Sequence, residues 1–150
     1  GSALGLSKNK LANLGQAALL HDIGKSKVAH DIVDKNGKLD KYEFEQIKMH
    51  PSYGYDIALH IGIKNEDTLD GIRHHHEKLD GTGYPDHIKD DEIKLFSRII
   101  GICDIFDALS TKRSYKEAMA SFDALRLMKE QMNTHLDMKI LNSFIKMLHT

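Results

Sequence analysis

The chain has 150 residues, 41% hydrophobic and 29% charged, a composition that buries a real core in one soluble domain and excludes a mainly disordered chain. Its 21 Lys and Arg against 22 Asp and Glu leave a formal charge of -1. No global basic excess points to DNA or an anionic membrane, so any phosphate-binding surface must be local. The lone Cys103 cannot form an internal disulfide, and no apolar run approaches a membrane span; the expected setting is reducing and cytoplasmic. Gly1 and Ser2 read as a tag scar with no signal peptide behind them, so the domain is taken as residues 3–150.

Ser7 suits the N-cap of a helix whose apolar positions Leu11, Leu14, Ala18 and Leu19 recur at helical spacing, and which delivers His21 and Asp22 before Gly24 interrupts it. Residues 25–38 lack a period and close on Lys35-Asn36-Gly37-Lys38, which predicts a loop laying Val28, Ile32 and Val33 on the core. Asp40 caps a short helix over Tyr42, Phe44 and Ile47. Pro51 fits the first turn of another through Tyr55, Ile57, Leu59 and Ile61, placing His50 at a helix junction. A helix from about Asp67 carries Leu69, Ile72 and His74-His75-His76. Asp80-Gly81-Thr82-Gly83-Tyr84-Pro85 must then be a loop.

From Ile93 to about Leu109, apolar residues cover most of a helix surface, predicting a central buried helix interrupted by Asp104 and Asp107, with Cys103 as a small core residue. Residues 115–119 suggest another turn or two. Ser121 caps a helix from Phe122 to Met132, and Asp137 caps a terminal one with Ile140, Leu141, Phe144, Ile145 and Leu148 on its apolar face. There is no strand alternation, fixed-period repeat or low-complexity linker, so the fold class is an all-α helical domain.

The chemistry is concentrated in histidine and aspartate. Ten histidines occur, three of them consecutive. Asp104, flanked by apolar residues, needs a partner, because an isolated buried carboxylate costs several kcal/mol even after relaxation. An Arg, a helix N-terminus or a metal ion would serve. His21-Asp22, His50 and His75-His76 each stand at a helix end, where side chains can converge without sacrificing a core face. Mixed imidazole and carboxylate sets suit Mn, Fe or Zn, and Asp22 can bridge two ions. Two metals roughly 3.5–4 Å apart suit in-line phosphoryl displacement. His30, His60, His87 and His149 are assigned no role. His74, one step back on its helix, is expected to point elsewhere, and His135 is as readily a hydrogen-bonding residue between the last two helices.

Several blocks occur in order: Ala17-Ala18-Leu19-Leu20-His21-Asp22-Ile23-Gly24-Lys25, His50-Pro51 with Gly54, His75-His76-Glu77 followed by Asp80 to Pro85, and Asp104-Ile105-Phe106-Asp107-Ala108-Leu109. Arg113, Tyr115, Lys116 and Thr134-His135-Leu136-Asp137 continue the series. Together they resemble the HD-GYP phosphodiesterases, a branch of the HD metal-dependent phosphohydrolases, over residues 4 to about 148. The resemblance implies an HD-domain bundle with a metal centre at the helix ends. His21, Asp22, His50, His75, His76 and Asp104 would hold two divalent ions, Fe or Mn, with Asp22 as the bridge and a catalytic residue. Lys25 would lie near the scissile phosphate, both catalytic and substrate-binding. Asp107, Arg113 and Lys116 would line the substrate groove. Tyr84 sits in a loop associated with substrate-side shaping and with contacts to diguanylate cyclase domains.

The implied reaction is hydrolysis of cyclic di-GMP to pGpG, in some members onward to GMP; some members accept the mixed cyclic GMP-AMP dinucleotide. The competing readings are a catalytically impaired module that binds a cyclic dinucleotide or a cyclase domain, and an HD hydrolase of mononucleotides. The resemblance also implies a helix before Leu4-Gly5-Leu6 that supplies a further His. This chain is expected to begin after it, which reduces metal occupancy and leaves apolar surface for a homodimer or helix exchange.

Overall fold

The computed structural model describes residues 1–113 and 116–149; Tyr115 of the motif series lies outside the described residues. Among those described there is no strand, only an isolated bridge in which Arg113 and Lys116 exchange two backbone hydrogen bonds. The α-helices are α1 (Lys8–Leu20), α2 (His30–Val33), α3 (Lys41–Ile47), α4 (His50–His60), α5 (Glu66–His74), α6 (Leu95–Ser110), α7 (Ser121–Gln131) and α8 (Met138–Leu148). Short 3-10 turns occupy Ser2–Leu4, Ile23–Lys27 and Asp90–Glu92. No helix among the described residues is long and apolar enough to cross a membrane.

Local chemistry sets most boundaries. Ser7 accepts from the Lys10 amide at the start of α1, and Asp40 forms a reciprocal capping box with Glu43 at α3. Asn65 caps α5 through the Thr68 amide, and Asp137 caps α8 through the Lys139 and Ile140 amides. Pro51 sits in the first turn of α4, where its missing N–H costs nothing. At α7 the cap position is Ala120, and Ser121 is already helical.

The expected loop over residues 25–38 instead contains the Ile23–Lys27 turn and α2. Both are too short to display a helical period in sequence. Residues 116–120 form no helix.

The core is built on α6. Phe96, Ile99, Ile100 and Ile102 pack with Leu14 and Ala17 of α1, Met128 of α7, Leu136, and Ile140 and Leu141 of α8. A smaller cluster of Ala58, Leu69 and Ile72 joins α4 to α5. The buried stripe of α1 thus uses Ala17, whereas Ala18 is exposed and Leu19 is 83% exposed. Apolar residues on adjacent positions cannot all face one neighbour, and in α1 it is Ala17 that packs beside Leu14 in the core. Cys103 is exposed too, not a core residue: it lines a groove between α1 and α6.

Candidate metal centre

Four segments bring the predicted ligands together. The end of α1 gives His21 and Asp22, the start of α4 gives His50, the end of α5 gives His75 and His76, and the middle of α6 gives Asp104. Gly24 makes the first approach possible: a Cβ there would lie 1.8 Å from the His50 carbonyl oxygen. That close contact seats the turn carrying Asp22 against α4.

The histidines are aimed by the main chain. Nδ1 of His21 donates to the Ala18 carbonyl at 2.6 Å, that of His50 to Ile47 at 2.7 Å, and that of His75 to Ile72 at 2.9 Å. A carbonyl only accepts, so in each neutral ring the proton is on Nδ1 and the Nε2 lone pair faces inward. The Nε2 atoms of His50 and His75, only 1% and 2% exposed as residues, lie 3.3 Å apart. Two lone pairs facing at that distance repel unless a cation lies between them.

The carboxylates complete the cluster. Asp22 Oδ1 is 3.3 Å from His50 Nε2, and its Oδ2 is 3.4 Å from His21 Nε2 and 2.9 Å from Lys25 Nζ. Asp104 Oδ1 is 3.5 Å from His21 Nε2, and its Oδ2 is 3.9 Å from His76 Nε2. Donor atoms of Asp22, His50, His75 and His76 lie within 4.8 Å of one another, as do those of His21, His75 and Asp104. The two groups share His75. His21 Nε2 and Asp22 Oδ1 are buried without a hydrogen-bond partner among the described residues, which a divalent cation would supply.

Electrostatics favours the ligating forms of His75, His76, Asp22 and Asp104, whereas at His21 it favours the protonated ring, whose proton a metal must displace. Burial, reinforced by neighbouring His50, lowers the His76 pKa to about 3, and burial with its histidine neighbours holds His75 well below the usual range. Both are therefore neutral, as ligation requires. Burial opposes ionisation of Asp22, but His50 and Lys25 outweigh it and hold the carboxyl well below its usual range. Asp104 is likewise lowered despite burial, chiefly by His21, while Asp104 raises His21.

Other predicted residues separate into two openings. Lys25 and Arg113 line one cleft of about 460 Å³ together with Ile47, and Lys116 is exposed beside Arg113. Asp107 lines the α1–α6 groove with His21 and Asp104, and accepts from the Thr111 hydroxyl. Tyr84 stacks on His76, ring centroids 4.8 Å apart and 20° from parallel.

The loop carrying Tyr84 is tied down by Arg73 and Asp86, which belong to no motif block, together with Glu77, His74 and His135. Arg73 pairs with Asp86 at 2.7 and 2.9 Å, and Glu77 accepts the Asp86 and His87 amides. His74 points away from the cluster and bridges Asp70 and Asp86, both at 2.8 Å. His135 Nε2 lies 3.3 Å from Asp80 and its carbonyl accepts the Leu79 amide, so it tethers this same loop rather than joining the last two helices.

Phe44 and Lys48, on and just after α3, carry no motif either; Phe44 meets the Tyr84 ring edge-on, and Lys48 lies over both rings. Their only sequence signal is the four-residue separation that puts them on one helical face.

The HD domain family model matches residues 1–140. A 3'3'-cGAMP-specific phosphodiesterase of Vibrio cholerae is 47% identical over 125 residues, 83% of this chain and 27% of that protein. A cyclic di-GMP phosphodiesterase of Pseudomonas aeruginosa is 39% identical over 132 residues, 88% of this chain and 32% of that protein. The chain thus spans about a third of the length of these curated relatives. In fold it is similar to an HDG"Y"P protein of Bdellovibrio bacteriovorus, with TM-score 0.78, 17% identity, and coverage of 98% of this chain and 47% of that one. The cyclic GMP-AMP phosphodiesterase structure from Vibrio cholerae gives TM-score 0.71 at 20% identity, covering 98% of this chain and 40% of that one.

Proposed function

The chain belongs to the HD domain family, and from that premise we propose that it is a metal-dependent phosphodiesterase acting on cyclic dinucleotides, cyclic di-GMP or 3'3'-cGAMP, inside the bacterial cytoplasm. The observation that carries this reading is the pair of Nε2 lone pairs of His50 and His75, opposed at 3.3 Å amid two ionised carboxylates. The cluster is compatible with divalent metal; the finer assignment is two ions, Fe or Mn. His21 and Asp104 would hold one, His50, His75 and His76 the other, and Asp22 would bridge them. Bound there, such ions supply Lewis-acid polarisation of a phosphoryl oxygen and activation of water.

The protein's own groups do the rest. Burial keeps His75 and His76 neutral, so they offer lone pairs rather than repelling cations. Lys25, held by Asp22 at the mouth of the cleft, offsets charge growing on the phosphoryl oxygens. Arg113, across the same cleft, suits the flanking phosphate, where its planar fork can engage two oxygens. Lys116 adds a second cation beside it, and Asp107 lies at the α1–α6 opening of the centre. Tyr84 walls the His76 side; burial together with the Asp104 and Asp22 charges raises its hydroxyl pKa and keeps it neutral.

The test is chromatography of cyclic di-GMP and 3'3'-cGAMP incubated with anaerobically prepared protein supplied with Mn(II) or Fe(II). Linear pGpG or GMP is expected from the former and its mixed counterpart from the latter, lost in Asp22→Ala and His75→Ala. Full metal-dependent turnover in either variant would refute the assignment, and saturable binding without product would favour a binding module.

A further inference from the structure

The α3 helix buries none of its residues fully, yet it carries Phe44, 46% exposed, at the edge of the metal centre. Phe44 stands at 81° to Tyr84 with ring centroids 6.5 Å apart. One face of Tyr84 is taken by His76, so the two rings make a corner adjoining a metal-cluster histidine, with the Lys48 ammonium over both of them. Lys48 Nζ lies 5.6 Å from both ring centroids. Its other partner is Glu45 at 3.1 Å, a surface pair that holds it weakly. Ile47, between them in sequence, lines the cleft shared by Lys25 and Arg113. Phe44 and Lys48 therefore stand on the segment whose Ile47 walls the cleft of the phosphate-facing cations.

An aromatic surface beside a phosphate site matches one part of a nucleotide, its base. Stacking is tolerant of base identity because every base has a π-face. An ammonium group is not tolerant: it only donates. Guanine offers it two acceptors, O6 and N7, whereas adenine replaces the first with an amino donor. Resting on the phosphodiesterase reading above, we propose that Phe44 and Lys48 form a guanine subsite, in which Phe44 stacks on a substrate base and Lys48 leaves Glu45 to donate to its O6 and N7 edge.

The experiment measures kcat/KM of the Mn(II)-supplied chain on cyclic di-GMP and on 3'3'-cyclic di-AMP, for the parent, Phe44→Ala, Lys48→Met and Lys48→Arg. Calorimetric titration with GMP and AMP runs beside it, and circular dichroism checks that each variant is folded. Phe44→Ala is expected to raise KM and the nucleotide Kd for both bases by about fivefold to a hundredfold. Lys48→Met is expected to lower the guanine-to-adenine ratio by about fivefold or more, while Lys48→Arg keeps it, since a guanidinium also reads O6 and N7. A ratio unmoved in Lys48→Met, or KM and Kd unmoved in folded Phe44→Ala, overturns the subsite. A parent that binds GMP over AMP through Lys48 but turns over neither dinucleotide keeps the subsite and sinks the phosphodiesterase reading. Turnover without base preference does the reverse, and neither binding nor turnover overturns both.

Discussion

Adding one methyl group at Gly24 is expected to disable the metal centre from outside it. The new Cβ would lie 1.8 Å from the His50 carbonyl oxygen and 2.5 Å from the Gly54 amide nitrogen. Both are backbone atoms of α4, so no side-chain rotation relieves the clash. Reaching ordinary van der Waals contact requires the two segments to part by roughly 1.5 Å. Asp22, two residues before Gly24, would be carried off with the turn and lose its 3.3 Å approach to His50.

Overpacking costs about 1–3 kcal/mol and sometimes more. With backbone on both sides, Gly24→Ala should sit near 3 kcal/mol, a fall in Tm of roughly 6–12 °C for a domain this size. Gly15→Ala is the control. Gly15 lies in α1, and a methyl group there would meet nothing within 4 Å, so alanine should stabilise by about 0.5–1 kcal/mol. Thermal melts with and without Mn(II) separate the two effects: Gly15→Ala should keep the metal-induced rise in Tm and Gly24→Ala should lose it. A Gly24→Ala protein that melts with the parent and keeps that rise would refute the account of how the turn and α4 set the centre.

Three further outcomes are expected. Saturating Mn(II) at a hundred times its Kd should stabilise the parent by about 2.7 kcal/mol, a gain reversed by a chelator and absent in Asp22→Ala; an equal gain in that variant would remove Asp22 from the ligand set. Met128, fully buried among the α6 and α8 side chains, should cost about 2–5 kcal/mol on truncation to alanine, read from denaturant midpoints; a loss under about 1 kcal/mol would show the core collapsing around the gap. Asp137→Ala should cost about 2 kcal/mol at neutral pH, because it removes the α8 cap and the 2.9 Å partner of Arg98. Burial alone would raise the Asp137 carboxyl, but Arg98 and the Ile140 and Lys139 amides hold it below its usual value. Its contribution is thus complete above the ordinary carboxyl range and fades as pH falls through the depressed one. The gap between parent and variant in urea unfolding should narrow in acid, and a constant gap would refute the linkage.

The helices are legible wherever a cap and a sustained apolar period coincide, as at Ser7, Asp40 and Asp137. Sequence reading fails where elements are shorter than the period needed to reveal them, at Ile23–Lys27 and α2, and where apolar character overstates burial, at Leu19 and Cys103. For the latter pair the reason is shared: both lie on helices that are hydrophobic over more of their surface than their neighbours cover. The cluster residues can be picked out because imidazoles and carboxylates at helix ends are costly to explain one at a time. Its geometry cannot be, since the Gly24–His50 contact joins segments far apart in sequence. The Arg73–Asp86 and His74–Asp86 clamp is hidden for the same reason.

The hydrogen bonds from His21, His50 and His75 all end on the carbonyl three residues earlier. Every amino acid presents that carbonyl, so the side chains at Ala18, Ile47 and Ile72 have no part in pointing the rings. Substitutions at Ala18 and Ile47, which line the two openings, can reshape the walls of the centre, its polarity and its access to solvent while the imidazoles keep their bearing, whereas Ile72 is fixed by its place in the cluster joining α4 to α5. Chemical tuning and ligand direction are thereby assigned to different parts of the chain, and a lineage can explore the first without risking the second.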